Sequence, residues 1–431
     1  MRYQRRPWPE ELAIIDNVMK AVSDITDPEQ MVQVYWDGIG DLVPGDHFLA
    51  LSRRGIAPPE FLITRSSRFK EHYNPWTQRD KLPRLSGGLL GEIAYADKPL
   101  VIDDLPSRLR PDDPGRFYLE GFQSLIALPQ YEGGKGINVG MTLFEPGDEF
   151  DHSILPMMHW QAGLFGRGTQ SLVLRNQLQA ALSALDRELQ IVGEIQRSLL
   201  PAQLPAIPGF ELAAFYQTSA RAGGDYYDFF PLDTGAWGLF IADVSGHGTP
   251  AAVLMAITHA IAHTRPGYLC PPRDVMSHLN THLSRSYTSG GTFVTAFYAA
   301  LDSATRRLTY CSAGHNPPRL RRGERVIALD HTAGLPLGIF AEESFGEASI
   351  NLQPGDLLLL YTDGITEAMT PPDASGSREL FGEERLDALL LTPEAQTADG
   401  CVAAIRAAVG AFARGAPPTD DQTLIAIRCV G

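Results

Sequence analysis

Trp237–Ala256, WGLFIADVSGHGTPAAVLMA, is the stretch that sets the fold of the C-terminal half. GLFIA is a continuous apolar run, the pattern of a strand buried on both faces rather than one with a wet side. Asp243 ends the run at the edge of a core. Gly246 and Gly248 flank His247 in a glycine-rich loop, and PAAVLMAITHAIAH resumes with helical spacing and a proline at its start.

The same grammar recurs on either side. DLLLLYTDG puts Asp363 and Gly364 at the end of a second buried strand, and Asp420-Asp421 stand at the entrance of the strand TLIAIR. Gly223-Gly224-Asp225-Tyr226-Tyr227-Asp228 sets two more aspartates beside glycines. Carboxylates gathered at one sheet edge repel one another unless a cation sits among them. Oxygen ligands without cysteine or clustered histidine select Mg²⁺ or Mn²⁺. Gly224, Gly246 and Gly364 would let backbone approach metal or phosphate closely. Two such ions could share a water, lower its pKa and direct it in line at phosphorus. Asp228 reads as support for Asp225, and Asp302 as a hairpin-turn residue.

Other residues carry less. His247 is weighed as a proton donor to a leaving oxygen against a turn histidine bonding its own backbone. His259 and His263 lie four apart on a predicted helix, but position 260 is alanine, so the zinc-protease pattern fails. Arg221 reads as a solvated arginine rather than a phosphate ligand. His315 and Asn316 shape a turn before Pro317-Pro318.

Upstream, Leu178, Leu182, Leu185, Leu189, Val192, Gln196 and Leu199 alternate steps of four and three, a heptad seam with one polar member. The spacing predicts a helical coiled-coil linker over residues 169–202, pairing two copies as a homodimer, and Pro201, Pro205 and Pro208 end it. Residues 10–168 mix helical patterns (Glu11–Val22, Pro28–Ile39, with Asp27 as N-cap) and strand runs HFLALS, EFLITRS, KPLVIDD, SLIALPQY and NVGMTLFE. This is an α/β unit of sensor size without a catalytic cluster.

Composition sets the bounds. The chain has 431 residues, 44% hydrophobic and 20% charged, which suits two or three globular domains. A formal net charge of -15 argues against a nucleic-acid surface. Cys270, Cys311, Cys401 and Cys429 are scattered without metal spacing, as free thiols in a reducing compartment would be. No apolar run approaches the roughly 20 residues of a membrane span. The expectation is a cytoplasmic protein without membrane insertion.

GGDYYDFF, IADVSGHGTPAAVLMA, FVTAFYAALD, LTYCSAGHNPPRL, GLPLGI, LQPGDLLLLYTDGITEA, FGEERL and DDQTLIAIR follow the order of SpoIIE/RsbU-like phosphatases of the PPM group, which residues 195–429 resemble. That resemblance implies an α-β-β-α sandwich over residues 203–431 and a metal-dependent protein serine/threonine phosphatase. By it, Asp225, Asp243, Asp363 and Asp420 would hold two Mn²⁺ or Mg²⁺ ions, with the Val244 carbonyl and nearby Asp421 as further candidates. The implied substrate is a phosphorylated STAS-type anti-anti-sigma protein. Through LLGEIAYADKPLVIDD and SLIALPQY, residues 10–168 resemble a GAF domain, implying small-molecule or protein input of unspecified identity. The whole reads as an α+β multidomain chain of GAF-like sensor, coiled-coil linker and phosphatase. Two rivals are weighed. A diguanylate cyclase, suggested by GGDYY, leaves DVSGHG, YTDG and DDQT unexplained. A catalytically silent phosphatase-like binding module is opposed by the complete set of aspartates.

Overall fold

The computed structural model describes residues 7–39, 42, 47–148, 150–233, 235–264, 271–288, 290–332, 334–373 and 375–430. The expected thiol Cys270 lies outside them; Cys311, Cys401 and Cys429 are buried free thiols. The chain divides into two compact units, Met1–Leu182 and Ser183–Gly431.

The first unit contains helices α1 (Trp8–Ser23), α2 (Pro28–Ile39), α3 (Gly88–Ala94), α4 (Leu105–Arg108) and α5 (Arg116–Leu119). Its strands are β1 (His47–Ser52), β2 (Glu60–Ser66), β3 (Arg84–Ser86), β4 (Leu100–Ile102), β5 (Ser124–Glu132) and β6 (Lys135–Phe144). They form one sheet in the order β3-β2-β1-β6-β5-β4. Asp27 caps α2 as the sequence suggested, its Oδ1 accepting from the Gln30 amide at 2.8 Å. Alternate residues Leu49, Leu51, Phe61 and Ile63 face Leu89, Leu90, Ile93 and Leu119 in the unit's core. Ile126, Leu128 and Phe144 pack with Met158 in a smaller cluster.

Helix α6 (Leu155–Leu199) is a single 45-residue helix. Of the heptad residues, Leu178, Leu182 and Leu185 are exposed. Gln196 is buried instead.

The second unit is a sandwich of two five-stranded antiparallel sheets with helices outside. The strands are β7 (Phe210–Gln217), β8 (Tyr226–Pro231), β9 (Trp237–Val244), β10 (Val294–Asp302), β11 (Arg307–Ala313), β12 (Arg319–Arg322), β13 (Arg325–Ala328), β14 (Ala348–Asn351), β15 (Leu357–Tyr361) and β16 (Gln422–Cys429). The helices are α7 (Thr249–His263), α8 (Pro272–Ser286), α9 (Asp363–Thr366), α10 (Gly382–Leu390) and α11 (Ala398–Phe412). The sheets run β14-β11-β10-β9-β8 and β13-β12-β15-β16-β7. The run LLLLY shows why both faces must be apolar. Leu358 and Leu360 join the core shared by the two sheets, with Ile425, Ile427, Leu239 and Phe297. Leu357, Leu359 and Tyr361 pack under α10 and α11 against Leu386, Leu390 and Ile405. All five residues are buried. Asp302 makes the expected turn, accepting from the amides of Ala304 and Thr305 at 2.9 and 3.2 Å.

Among the described residues no helix is long and apolar enough to cross a membrane.

Candidate metal centre

Antiparallel pairing brings the aspartates together. β8 and β9 pair with Tyr226 opposite Ala242, so Asp225 at the entrance of β8 stands beside Asp243 near the exit of β9. β15 and β16 pair with Tyr361 opposite Leu424, so Asp363 beyond β15 stands beside Asp420 and Asp421 ahead of β16. The two pairs then meet across the sandwich. Asp225 is 1% exposed, and its Oδ2 accepts the hydroxyls of Thr362 at 2.7 Å and Thr423 at 2.5 Å, both from the opposite sheet.

The charges sense one another. Burial raises the Asp243 carboxyl strongly, and Asp225, Asp363, Asp420 and Asp421 push it further up. Burial likewise raises Asp225, against the two threonine hydroxyls, with Asp421 and Asp363 adding to the rise. Asp363 is pushed up to about 6 by burial, Glu367 and Asp420, against the backbone amides of Gly364 and of Asp363 itself, which lower it. Asp420 is raised by burial and by Asp421, while its bond from the Asp421 amide and the nearby His247 lower it. Four mutually repelling carboxyls in one partly dehydrated place form a site short of positive charge.

Two observations test whether divalent cations fit. Asp363 Oδ1 is buried with no hydrogen-bond donor among the described residues, and a buried carboxylate oxygen without a donor requires another partner. A Cβ on Gly224 would stand 2.8 Å from the Val244 carbonyl oxygen, so only glycine lets that backbone oxygen sit beside the Asp225 segment. The donor set is all oxygen, the chemistry of Mg²⁺ and Mn²⁺. The residues fit the ions.

The remaining expected residues fall in different places. Gly246 and Gly248 have φ of +92° and +75°, which fixes glycine in the loop carrying exposed His247. Gly364 passes so close to the Asp421 carbonyl that a side chain would overlap it. Asp421 has both oxygens engaged: Oδ1 by the Ser219 amide at 2.8 Å and Oδ2 by the Gly224 amide at 2.5 Å. Asp228 is turned to other partners, accepting from the Tyr226 hydroxyl at 2.6 Å and lying 2.8 Å from His263 Nε2. Arg221 forms an exposed fork with Asp186, at 2.8 and 3.0 Å. His315 is buried and shares a hydrogen bond of 2.9 Å with Thr295, the residue opposite Asp243 on β10. Burial lowers its imidazole to about 4.

Sequence reasoning missed the residues that hold the aspartates in place. Thr362 and Thr423 gave no signal beyond lying next to aspartates. Gln196 stands at a seam position of the heptad, yet its amide takes both backbone groups of Gly223, accepting from the N–H at 2.9 Å and donating to the carbonyl at 2.5 Å. The end of α6 therefore braces the glycine pair before Asp225.

Residues 233–430 match the family described as Stage II sporulation protein E (SpoIIE). This part of the chain is thus similar to SpoIIE-type phosphatase domains. Among curated relatives, phosphoserine phosphatase RsbU of Bacillus subtilis is 29% identical over 194 residues, 45% of this chain and 57% of that protein. Phosphoserine phosphatase RsbP of the same organism is 28% identical over 184 residues, 42% of this chain and 45% of that one. The chain thus spans about half the length of these relatives. The SiaA-PP2C domain of Pseudomonas aeruginosa shares the fold, with a TM-score of 0.51 and 22% identity, covering 58% of this chain and 98% of that domain.

Proposed function

We propose that the chain is a Mn²⁺- or Mg²⁺-dependent protein serine/threonine phosphatase. The observation carrying this reading is the convergence of Asp225, Asp243, Asp363 and Asp420, with an Asp363 oxygen buried and lacking any described donor. Those four aspartates and the Val244 carbonyl would hold two ions, while Asp421 braces the Gly224 amide from behind. Bound divalent cations supply Lewis acidity to a water and neutralise charge on the phosphoryl oxygens. The protein's part is to fix the ligands: Thr362 and Thr423 lock one Asp225 oxygen, which leaves the other free to ligate. No cysteine or serine nucleophile is needed.

The substrate class is a phosphoserine or phosphothreonine protein, of the STAS anti-anti-sigma type that the resemblance of the motifs to SpoIIE/RsbU-like phosphatases implies, and the location cytoplasmic. The first unit acts as a GAF-like sensor. Two copies pair through the exposed leucines of α6, and signals reach the site through Gln196 at the end of that helix.

Release of phosphate from a phosphoserine protein, measured with Mn²⁺ and with chelator, tests the activity. Turnover with Mn²⁺, abolished by Asp243→Ala, is expected. A purified, folded chain silent with both Mn²⁺ and Mg²⁺ would instead be a binding module.

A further inference from the structure

A second cluster of ligating side chains stands apart from the aspartates. Asp228 on β8 and His259 and His263 on α7 each offer one ligand atom, and these atoms lie within 4.8 Å of one another. The two histidines are one helical turn apart and share a face, with ring centroids 4.3 Å apart. The Asp228 carboxylate is oriented before any ion arrives: the Tyr226 hydroxyl donates to Oδ2 at 2.6 Å and the Phe229 amide to Oδ1 at 2.7 Å. Such outer hydrogen bonds are what fix a metal-ligating carboxylate.

We infer that Asp228, His259 and His263 form a binding site for a Zn²⁺-class transition ion, separate from the aspartate centre. Two imidazoles and a carboxylate are a zinc ligand set, with the fourth position left to water. Nitrogen ligands favour Zn²⁺ and its neighbours in the first transition row over Mg²⁺, whereas the all-oxygen centre favours the hard ions. The two sites thus select different metals. Bonds of about 2.0–2.1 Å around a tetrahedral ion set donor atoms about 3.4 Å apart. His263 Nε2 and Asp228 Oδ2 are 2.8 Å apart and must open slightly. The His263 side chain is 45% exposed, so it can rotate and gives the ion a way in.

The position gives the ion a structural consequence. β8 begins directly after Asp225, and α7 begins directly after the Asp243–Gly248 loop. An ion held between them clamps the far end of α7 to the strand that carries Asp225.

The test is Zn²⁺ titration of the full chain against a competing fluorescent chelator, in excess Mg²⁺ to occupy the oxygen site. One Zn²⁺ per chain is expected, with a rise in Tm. His259→Ala/His263→Ala should weaken binding at least about 100-fold and remove the Tm rise, with an unchanged circular dichroism spectrum. Should the double variant not fold, the surface change His263→Gln should alone weaken binding about tenfold or more. Asp243→Asn should retain the ion. Failure of the wild type to hold Zn²⁺ in Mg²⁺, equal binding by the folded histidine variants, or loss of the ion on Asp243→Asn would each overturn the assignment.

Discussion

Asp363 is the residue at which missing hydrogen bonds say most. Its neighbour Asp421 has both oxygens held by amide donors and Asp225 has one held by two hydroxyls, while its own Oδ1 is buried with no donor described. Asp363→Asn should therefore separate two effects. Phosphate release with Mn²⁺ should fall at least about 100-fold, because removing a ligand costs more than the 10–100-fold typical of outer contacts. The metal-free protein should melt no lower than wild type, since one of several repelling charges is gone. A lower metal-free Tm with intact activity would make Asp363 a structural residue. The pH dependence has a definite sign. Asp363 is raised to about 6 from an ordinary value near 3.9. The folded state thus holds its proton more tightly than the unfolded chain, so the stabilisation is full below about pH 4 and is lost as pH rises through about 6. Asp225 and Asp243 are shifted in the same direction. In chelator, Tm should fall as pH rises from about 4 through about 6; saturating Mn²⁺ should remove that fall, because the ion takes the place of the protons. A Tm that is flat in chelator over this range would contradict the crowding of carboxyls.

At the scale of elements, the brace at the end of α6 is open to test. Gln196→Ala leaves the N–H and carbonyl of buried Gly223 without their partner, a loss of about 1–3 kcal/mol for each unsatisfied group. A lower Tm and weaker Mn²⁺ binding, read by titration, are expected; unchanged Mn²⁺ affinity would mean that α6 does not position the Asp225 segment. Elements were legible where burial was two-sided. GLFIA and LLLLY sit in sheets covered on both faces, so their patterns are unbroken. β8, YYDFFP, shows no legible strand pattern, because Asp228 interrupts it. That aspartate is tolerated there because Tyr226 and His263 pair with it. α11 was missed as well, since its alanines and glycines give little contrast between faces. β3, β13 and β14 span three or four residues, too few for a period to show.

The chain as a whole raises the question of assembly. Leu178, Leu182 and Leu185 are 61%, 57% and 53% exposed on one long helix, a continuous apolar stripe that a second copy would cover. Leu178→Lys/Leu185→Lys should shift the mass in sedimentation from dimer to monomer. A wild type already monomeric at micromolar concentration would remove the paired-helix reading. That these leucines lie on one helix was legible from their spacing. The heptad's polar member was misplaced, because a sequence cannot tell a polar seam position from a side chain turned inward to its own domain. Asp243, Asp363 and Asp420 were legible as strand-end residues and Asp225 as a neighbour of two glycines, but that they share one sheet end follows from antiparallel pairing, which only the fold supplies. The claim on which the rest depends is that these carboxylates gather divalent cations. Anomalous diffraction from crystals grown with Mn²⁺ measures this most directly. Peaks bounded by Asp225, Asp243, Asp363, Asp420 and the Val244 carbonyl are the expected result. Crystals saturated with Mn²⁺ but without a peak among those side chains would contradict it.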